Sequence, residues 1–242
     1  MVAVLFVATF IRSAFGFGEA LVAVPVLALF MPVDVAAPVA VLVSITVAAI
    51  VVVEDWRSIH LGSAAWLVLA TLAGVPLGLL LLTSAPERAV KALLGIVIVA
   101  FSVYSLAHSS RLALHDNRLA WLFGLAAGVL GGAYGMNGPP LVMFGTLRRW
   151  SPVQFRATLQ GYFLPASIVV MAGYWATGLW VPSVTHYYLI ALPATIAAIA
   201  LGRALNRRLN AGSFLAYVHV LLVVIGLVLL AQAATGAHPG AA

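Results

Sequence analysis

From Ala157 to Gly202 the chain reads ATLQGYFLPASIVVMAGYWATGLWVPSVTHYYLIALPATIAAIALG, without one Asp, Glu, Lys or Arg. That run is long enough for two membrane spans of about 20 residues each. A second uncharged run extends from Leu209 to Ala242. Across the chain 64% of residues are hydrophobic and 7% are charged, where a soluble domain carries about 25% charged residues. So few charges cannot cover a surface in water, whereas an apolar exterior is stable in lipid. The segments are apolar all round, without the alternation of an outer-membrane barrel, so they read as helices. The expected fold class is an all-α polytopic membrane protein.

The same composition narrows the function. A net charge of +6 and a pI near 10.2 would suggest nucleic acid in a soluble protein. Here the basic residues sit mainly in short connections, where they set membrane orientation, so no nucleic-acid partner is expected. There is no cysteine, which excludes disulfides and thiol chemistry. Met1 to Phe10 is apolar with no basic leader before it and no small-residue cleavage pattern, so it reads as a mature segment. The six histidines show no HExxH or paired-ligand spacing, and there is no P-loop. Neither an enzyme with catalytic residues nor a metal site, cofactor or ATP-driven pump is expected.

Eight apolar units can be marked: Val2–Phe30, Ala36–Val53, Gly62–Leu82, Ala89–Ala107, Leu119–Leu147, Val153–Trp175, Ser183–Gly202 and Ser213–Ala233. Pro, Ser and Asn mark the connections, as at Met31-Pro32, Ser84-Ala85-Pro86 and Val181-Pro182-Ser183. The tail from Thr235 reads as disordered. Units one and five stand apart, each about 43 Å long if continuous, against a hydrocarbon core of about 30 Å. Each is interrupted by glycine: Phe15-Gly16-Phe17-Gly18-Glu19 in the first, and Gly131-Gly132-Ala133-Tyr134-Gly135-Met136-Asn137-Gly138-Pro139-Pro140 in the second.

The two interruptions fall at corresponding places of a weak duplication. Gly16 aligns with Gly135 at an offset of 119 residues, Pro32 with Pro152 at 120, and Gly78 with Gly202 at 124. Two repeats of about four helical units are therefore expected, residues 1–110 and 111–242, with discontinuous or re-entrant helices at units one and five. Repeated halves with broken helices at matching positions point to a secondary-transporter site. Irregular backbone at membrane depth is tolerated only inside protein or beside a water-filled cavity. For Gly74 and Gly78, close helix packing is the expected role.

Arg148, Arg149 and Arg156 lie in one connection and Arg203, Arg207 and Arg208 in another, two crossings apart. These loops are expected in the cytoplasm and the C-terminus outside, in a cell inner (plasma) membrane. Units one and five either cross or fold back as hairpins. Their short arms lean towards hairpins, which would make the repeats inverted. Trp56, Trp150, Trp175 and Trp180 sit at unit ends and read as interface anchors.

At its motifs the chain resembles the sulfite exporter TauE/SafE family of membrane permeases, from about Phe10 to Leu230. The resemblance rests on Gly135-Met136-Asn137-Gly138-Pro139-Pro140-Leu141-Val142, on Ser151-Pro152-Val153-Gln154-Phe155-Arg156-Ala157-Thr158, and on Gly16-Phe17-Gly18-Glu19-Ala20 with Val24-Pro25. Family members usually carry a glycine triplet where this chain has Gly18-Glu19-Ala20, so Glu19 is a departure. The resemblance implies transport of small sulfur oxyanions or organosulfonates such as sulfite and sulfoacetate. An anion channel, or a permease for small carboxylates, is the alternative.

A small anion can be held by half-helix N-termini, each offering about half a positive charge and free N–H donors. The segments after Gly18 and Gly138 would supply two such ends, with Pro139 and Pro140 suited to a first turn. The expected substrate-binding residues are Arg12, Gly16, Gly18, Glu19, Gly135, Asn137, Gly138, Pro139, Arg156 and Gln160. Arg12 is an intramembrane arginine, functional by default, though its long side chain can also snorkel. Arg156 is either an oxyanion ligand or a positive-inside anchor. Glu19 either carries a coupling proton or pairs with Arg12. Tyr162 is a further uncharged donor, and Tyr134, Phe15 and Phe17 are candidate cavity walls. The partners expected are a small anionic substrate and the lipid bilayer, with a homodimer as a candidate assembly.

Overall fold

The computed structural model describes residues 1–55, 60–107 and 119–206, with separate helical residues between 223 and 235. Among these every regular element is an α-helix: α1 (Val2–Phe15), α2 (Glu19–Leu27), α3 (Val33–Asp55), α4 (Leu61–Ser84), α5 (Glu87–Ala107), α6 (Ala120–Tyr134), α7 (Gly138–Leu147), α8 (Pro152–Ala176) and α9 (Pro182–Asn206). Proline sets several of the starts. Pro32 and Pro86 directly precede α3 and α5, while Pro152 and Pro182 open α8 and α9, positions where a missing N–H costs nothing. Ser151 completes the start of α8 as a capping box with Gln154. Prolines inside α2, α3, α4, α8 and α9 are at home in apolar bundles whose neighbours satisfy the freed carbonyls.

Among the described residues three helices are long and apolar enough to cross a membrane: Val33–Val53, Leu61–Ser84 and Pro182–Leu205. Their outer faces are built accordingly. Trp66, Leu69, Leu72, Leu77 and Leu80 on α4, and Leu189, Ile190, Ile196 and Leu201 on α9, are exposed. Stripes of that size are untenable in water and suit lipid. Trp175 and Trp180 are exposed near the α8–α9 connection, in keeping with an interfacial position. Trp150 differs from its expected role: its ring packs edge-on to Phe144 at 5.7 Å and stacks on His60 at 6.4 Å. Trp56, Arg207 and Arg208 lie outside the described residues, as does most of Ser213–Ala233. Of that last unit, Gly226 sits against Gly95 of α5.

The first apolar unit is interrupted between Phe15 and Glu19, as its glycines imply. The second interruption is narrower than expected, spanning Gly135 to Asn137 alone. Gly131 and Gly132 stay helical because they serve packing. Gly124, Gly128 and Gly132 of α6 face Thr71, Gly74 and Gly78 of α4, and the two backbones touch. A Cβ at Gly78 would run into the Val129 carbonyl oxygen and the Gly132 Cα. Replacing Gly78 by leucine is therefore expected to force α4 and α6 apart. Overpacking a core costs about 1–3 kcal/mol even where side chains can adjust, and backbone cannot. The measurement is the yield of monodisperse protein in detergent, expected to collapse for Gly78→Leu and to survive for Gly62→Leu, where a Cβ meets nothing within 4 Å.

The remaining helices enclose the breaks. α1 packs along α9, α3 along α8, and α2 lies between α1 and α3, while α7 follows α6. Buried side chains of α1, α2 and α3 form most of the main core, joined by residues of α4, α5, α6, α8 and α9.

Candidate functional site

The site begins with backbone. Gly16 (φ 88°) and Gly18 (φ 101°) both lie in the left-handed region, which side-chain-bearing residues avoid. The Gly16 N–H closes α1 on the Arg12 carbonyl at 2.6 Å. Gly18 then caps α2, so that Glu19 becomes its first residue. A carboxylate is favoured there by the helix dipole. On a continuous helix two residues seven apart would be separated by about 10 Å along the axis. The break removes that separation.

Arg12 and Glu19 meet as a buried ion pair, Nη1 to Oε2 at 2.5 Å. The guanidinium does not snorkel: it is 3% exposed. The same Nη1 donates to Ser44 Oγ at 2.6 Å, and Nη2 donates to Gln160 Oε1 at 2.8 Å. The guanidinium carbon lies 4.8 Å from the centre of the Phe163 ring, a cation–π distance. Arg12 Nε is buried and has no hydrogen-bond partner. Thr9 Oγ1 faces Glu19 Oε1 at 3.4 Å, and Ser44 Oγ lies 3.3 Å from Ser167 Oγ. Gln160 then ties the charges to the break, its Nε2 donating to the Gly16 carbonyl at 2.8 Å. Its amide faces a donor with oxygen and an acceptor with nitrogen, so both ends are satisfied.

A cavity of about 20 Å³ opens against this cluster, on a scale where one water needs about 10–15 Å³. Its walls are Arg12 and Ser44, the first turn of α2 from Gly18 to Leu21, the second break at Asn137, Gly138 and Pro139, and the rings of Phe17 and Phe163. The starts of α2 and α7 thus border one space. Pro139 and Pro140 carry no N–H, so the donors on the α7 side are the Gly138 N–H and the Asn137 amide. The chemistry available is recognition of a small anion by one guanidinium, a few neutral donors and two helix starts.

Of the residues expected to form the site, Arg12, Gly18, Glu19, Asn137, Gly138 and Pro139 line the cavity. Gln160 and Gly16 stand just behind, through the hydrogen bonds above. Gly135 does not reach it: a Cβ there would meet Val41 and Ala37 of α3. Its left-handed φ of 66° closes α6. Arg156 belongs to α8, one turn before Gln160, and its side chain is outside the described part of the structure. Tyr162 is buried and bonded to Thr71 at 2.6 Å. Tyr134 donates to the Val90 carbonyl at 3.1 Å and packs in the core rather than against the cavity.

Four contributors were not singled out by the sequence: Thr9, Ser44, Phe163 and Ser167. Their spacing carries a signal. Thr9 is three residues before Arg12, while Gln160, Phe163 and Ser167 follow the i, i+3, i+7 rule that puts side chains on one helix face. Ser44 stands in the middle of an apolar span, where an isolated hydroxyl is in need of a partner.

Helices with apolar outer faces, wrapped around a buried polar cluster at two helix interruptions, make up a membrane protein of the transport class. The chain belongs to the sulfite exporter TauE/SafE family, whose model matches residues 1–229. No curated protein and no solved structure matches it.

Proposed function

We propose that the protein is a secondary transporter for small sulfur-containing anions, sulfite or organosulfonates such as sulfoacetate, with the anion held between the two helix breaks. The observation that carries this is Arg12: a buried guanidinium facing a cavity, with Nε unpaired and Phe163 beneath it. An arginine away from water is expensive even when paired, and such residues mark substrate or ion pathways. Its planar fork suits a trigonal or tetrahedral oxyanion. The family's description supplies the sulfur chemistry.

The internal repeat is part of this reading and has its own support. Gly78 of α4 approaches Val129, Gly132 and Ala133 of α6; Gly202 of α9 approaches Phe10, Ser13 and Ala14 of α1. Each residue of the second set lies 119 positions before its counterpart in the first, the offset that relates Gly16 to Gly135. α4 on α6 and α9 on α1 are thus matching contacts exchanged between halves. The arms α1 and α2, about 21 and 14 Å long, each fall short of a bilayer core of about 30 Å, which supports a re-entrant pair in each half. The chain lacks cysteine, so single cysteines at Ser151 and Thr177 would report topology directly. Basic loops in the cytoplasm require them to label from opposite sides.

The test of function is uptake by proteoliposomes. Radiolabelled sulfite or sulfoacetate is expected to accumulate with saturation, and to be inhibited by other sulfonates. Ohmic anion current would instead favour a channel. Uptake of acetate or lactate with indifference to sulfonates would make the protein a carboxylate permease.

A further inference from the structure

Arg12 and Glu19 are the charged side chains that line the cavity among the described residues, and their charges cancel. Glu19 is 1% exposed. An anion entering beside an intact pair would leave the site one negative charge out of balance, where an unpaired buried ion is strongly disfavoured. It would also find no room. A cavity of about 20 Å³ holds little more than a water, and the Glu19 carboxylate already occupies the oxyanion position on Arg12 Nη1.

We propose that anion and proton enter together: one monovalent anion takes the place of the Glu19 carboxylate on Arg12, and Glu19 leaves as a neutral carboxylic acid. This rests on the transport reading above and names its substrate class and coupling. One proton passes from hydronium in the surrounding water, whose O–H bond breaks as an O–H bond forms on Glu19, and no other covalent bond changes. The site is neutral before and after. The released acid has a nearby acceptor in Thr9 Oγ1.

Among the described residues no second charge lines the cavity. Against Glu19, α1 sets Thr9 and Arg12. Within the cluster, α3 contributes Ser44 and α8 contributes Gln160, both neutral. α7, Gly138–Leu147, contains no ionisable residue. Of the ionisable residues of α5 whose side chains are described, Arg88, Lys91 and Tyr104, none lines the cavity. Against these described residues a dianion would remain uncompensated. The site takes hydrogensulfite or a sulfonate RSO₃⁻, and refuses sulfate and the sulfite dianion.

Calorimetry of the purified full chain with methanesulfonate, a monoanion at every pH used, tests this when run in buffers of different ionisation enthalpy. The expected result is about one proton taken up per anion bound, by linkage. Where Glu19 is ionised in the empty protein, affinity is expected to fall about tenfold per pH unit as pH rises. Sulfate and ethane-1,2-disulfonate are expected to bind at least about 100-fold more weakly, a discrimination within the range of site-to-site couplings. Glu19→Gln should bind methanesulfonate more tightly than the unaltered chain at neutral pH, without proton uptake. Should that variant fail to fold, the proton count on the unaltered chain still decides. Methanesulfonate binding without proton uptake, or sulfate binding equally well, overturns the proposal and leaves the transport reading intact. Failure of both methanesulfonate and hydrogensulfite to bind overturns both.

Discussion

Arg12→Gln is expected to abolish anion uptake and to lower the melting temperature in detergent by on the order of 10 °C. The stability loss follows from what the guanidinium holds. Glu19, Ser44 and Gln160 all take hydrogen bonds from it, and its removal leaves a carboxylate that is 1% exposed without its countercharge. Breaking a buried pair from one side costs about 3–5 kcal/mol. For a chain of this size each kcal/mol is worth roughly 2–4 °C. The double variant Arg12→Gln/Glu19→Gln separates the two consequences. With no charge left in the site, most of the lost stability is expected to return, because two neutral amides can bond to each other. Uptake is expected to stay absent, because the cation that receives the substrate is gone. Sulfite uptake by the double variant at the unaltered rate would remove Arg12 from the binding site.

Gly138→Leu is also expected to lose uptake, at a smaller cost in stability than Arg12→Gln, within the roughly 1–3 kcal/mol that overpacking costs. Gly138 lines the cavity, and its backbone is outside the left-handed region. A Cβ added there meets only the far edge of the Phe163 ring, at 3.9 Å, an ordinary contact. A leucine side chain would continue into a space of about 20 Å³ and fill the place a ligand must use. Gly138→Ala, one methyl in the same space, is expected to raise KM several-fold while leaving the melting temperature within about 1–2 °C. Gly18 offers no such separation. Its φ of 101° makes alanine strained before any ligand is considered. The checks are initial uptake rate and melting temperature on the same preparations. A Gly138→Leu protein that transports normally would show that the ligand does not pass between the breaks.

Much of the architecture can be read from the chain because lipid imposes a simple requirement. Runs without charge, such as Ala157–Gly202, must be helices, and Pro32, Pro86, Pro152 and Pro182 mark where four of them begin. The first break was equally plain, since Gly16 and Gly18 have no packing partner in sequence that would explain them. The second was harder. Gly131 and Gly132 look like part of the interruption, yet they are helical; Gly132 lets α6 press against α4, and Gly131 faces Val170 of α8. Glycine serves both purposes, and only the neighbouring helix distinguishes them. The pairing of Arg12 with Glu19 was one of two alternatives in the sequence, because seven residues is too far on a straight helix and close only if the chain turns. Ser44 and Ser167 carry no such signal in the sequence. Single hydroxyls in apolar spans are common, and what gives these two a role is the Arg12 guanidinium, which donates to Ser44, itself 3.3 Å from Ser167.

The central claim is that a small sulfur oxyanion sits on Arg12, between the two helix breaks. Its most direct test is an experimental structure of the protein soaked with selenite, the heavier congener of sulfite, with selenium located by anomalous scattering. The expected result is one strong peak bounded by Gly18–Glu19 and Asn137–Pro139, a selenite oxygen within hydrogen-bonding distance of Arg12, and the Glu19 carboxylate displaced from the guanidinium. A peak elsewhere in the protein, or an intact Arg12–Glu19 pair in a protein shown to have selenite bound, would contradict it.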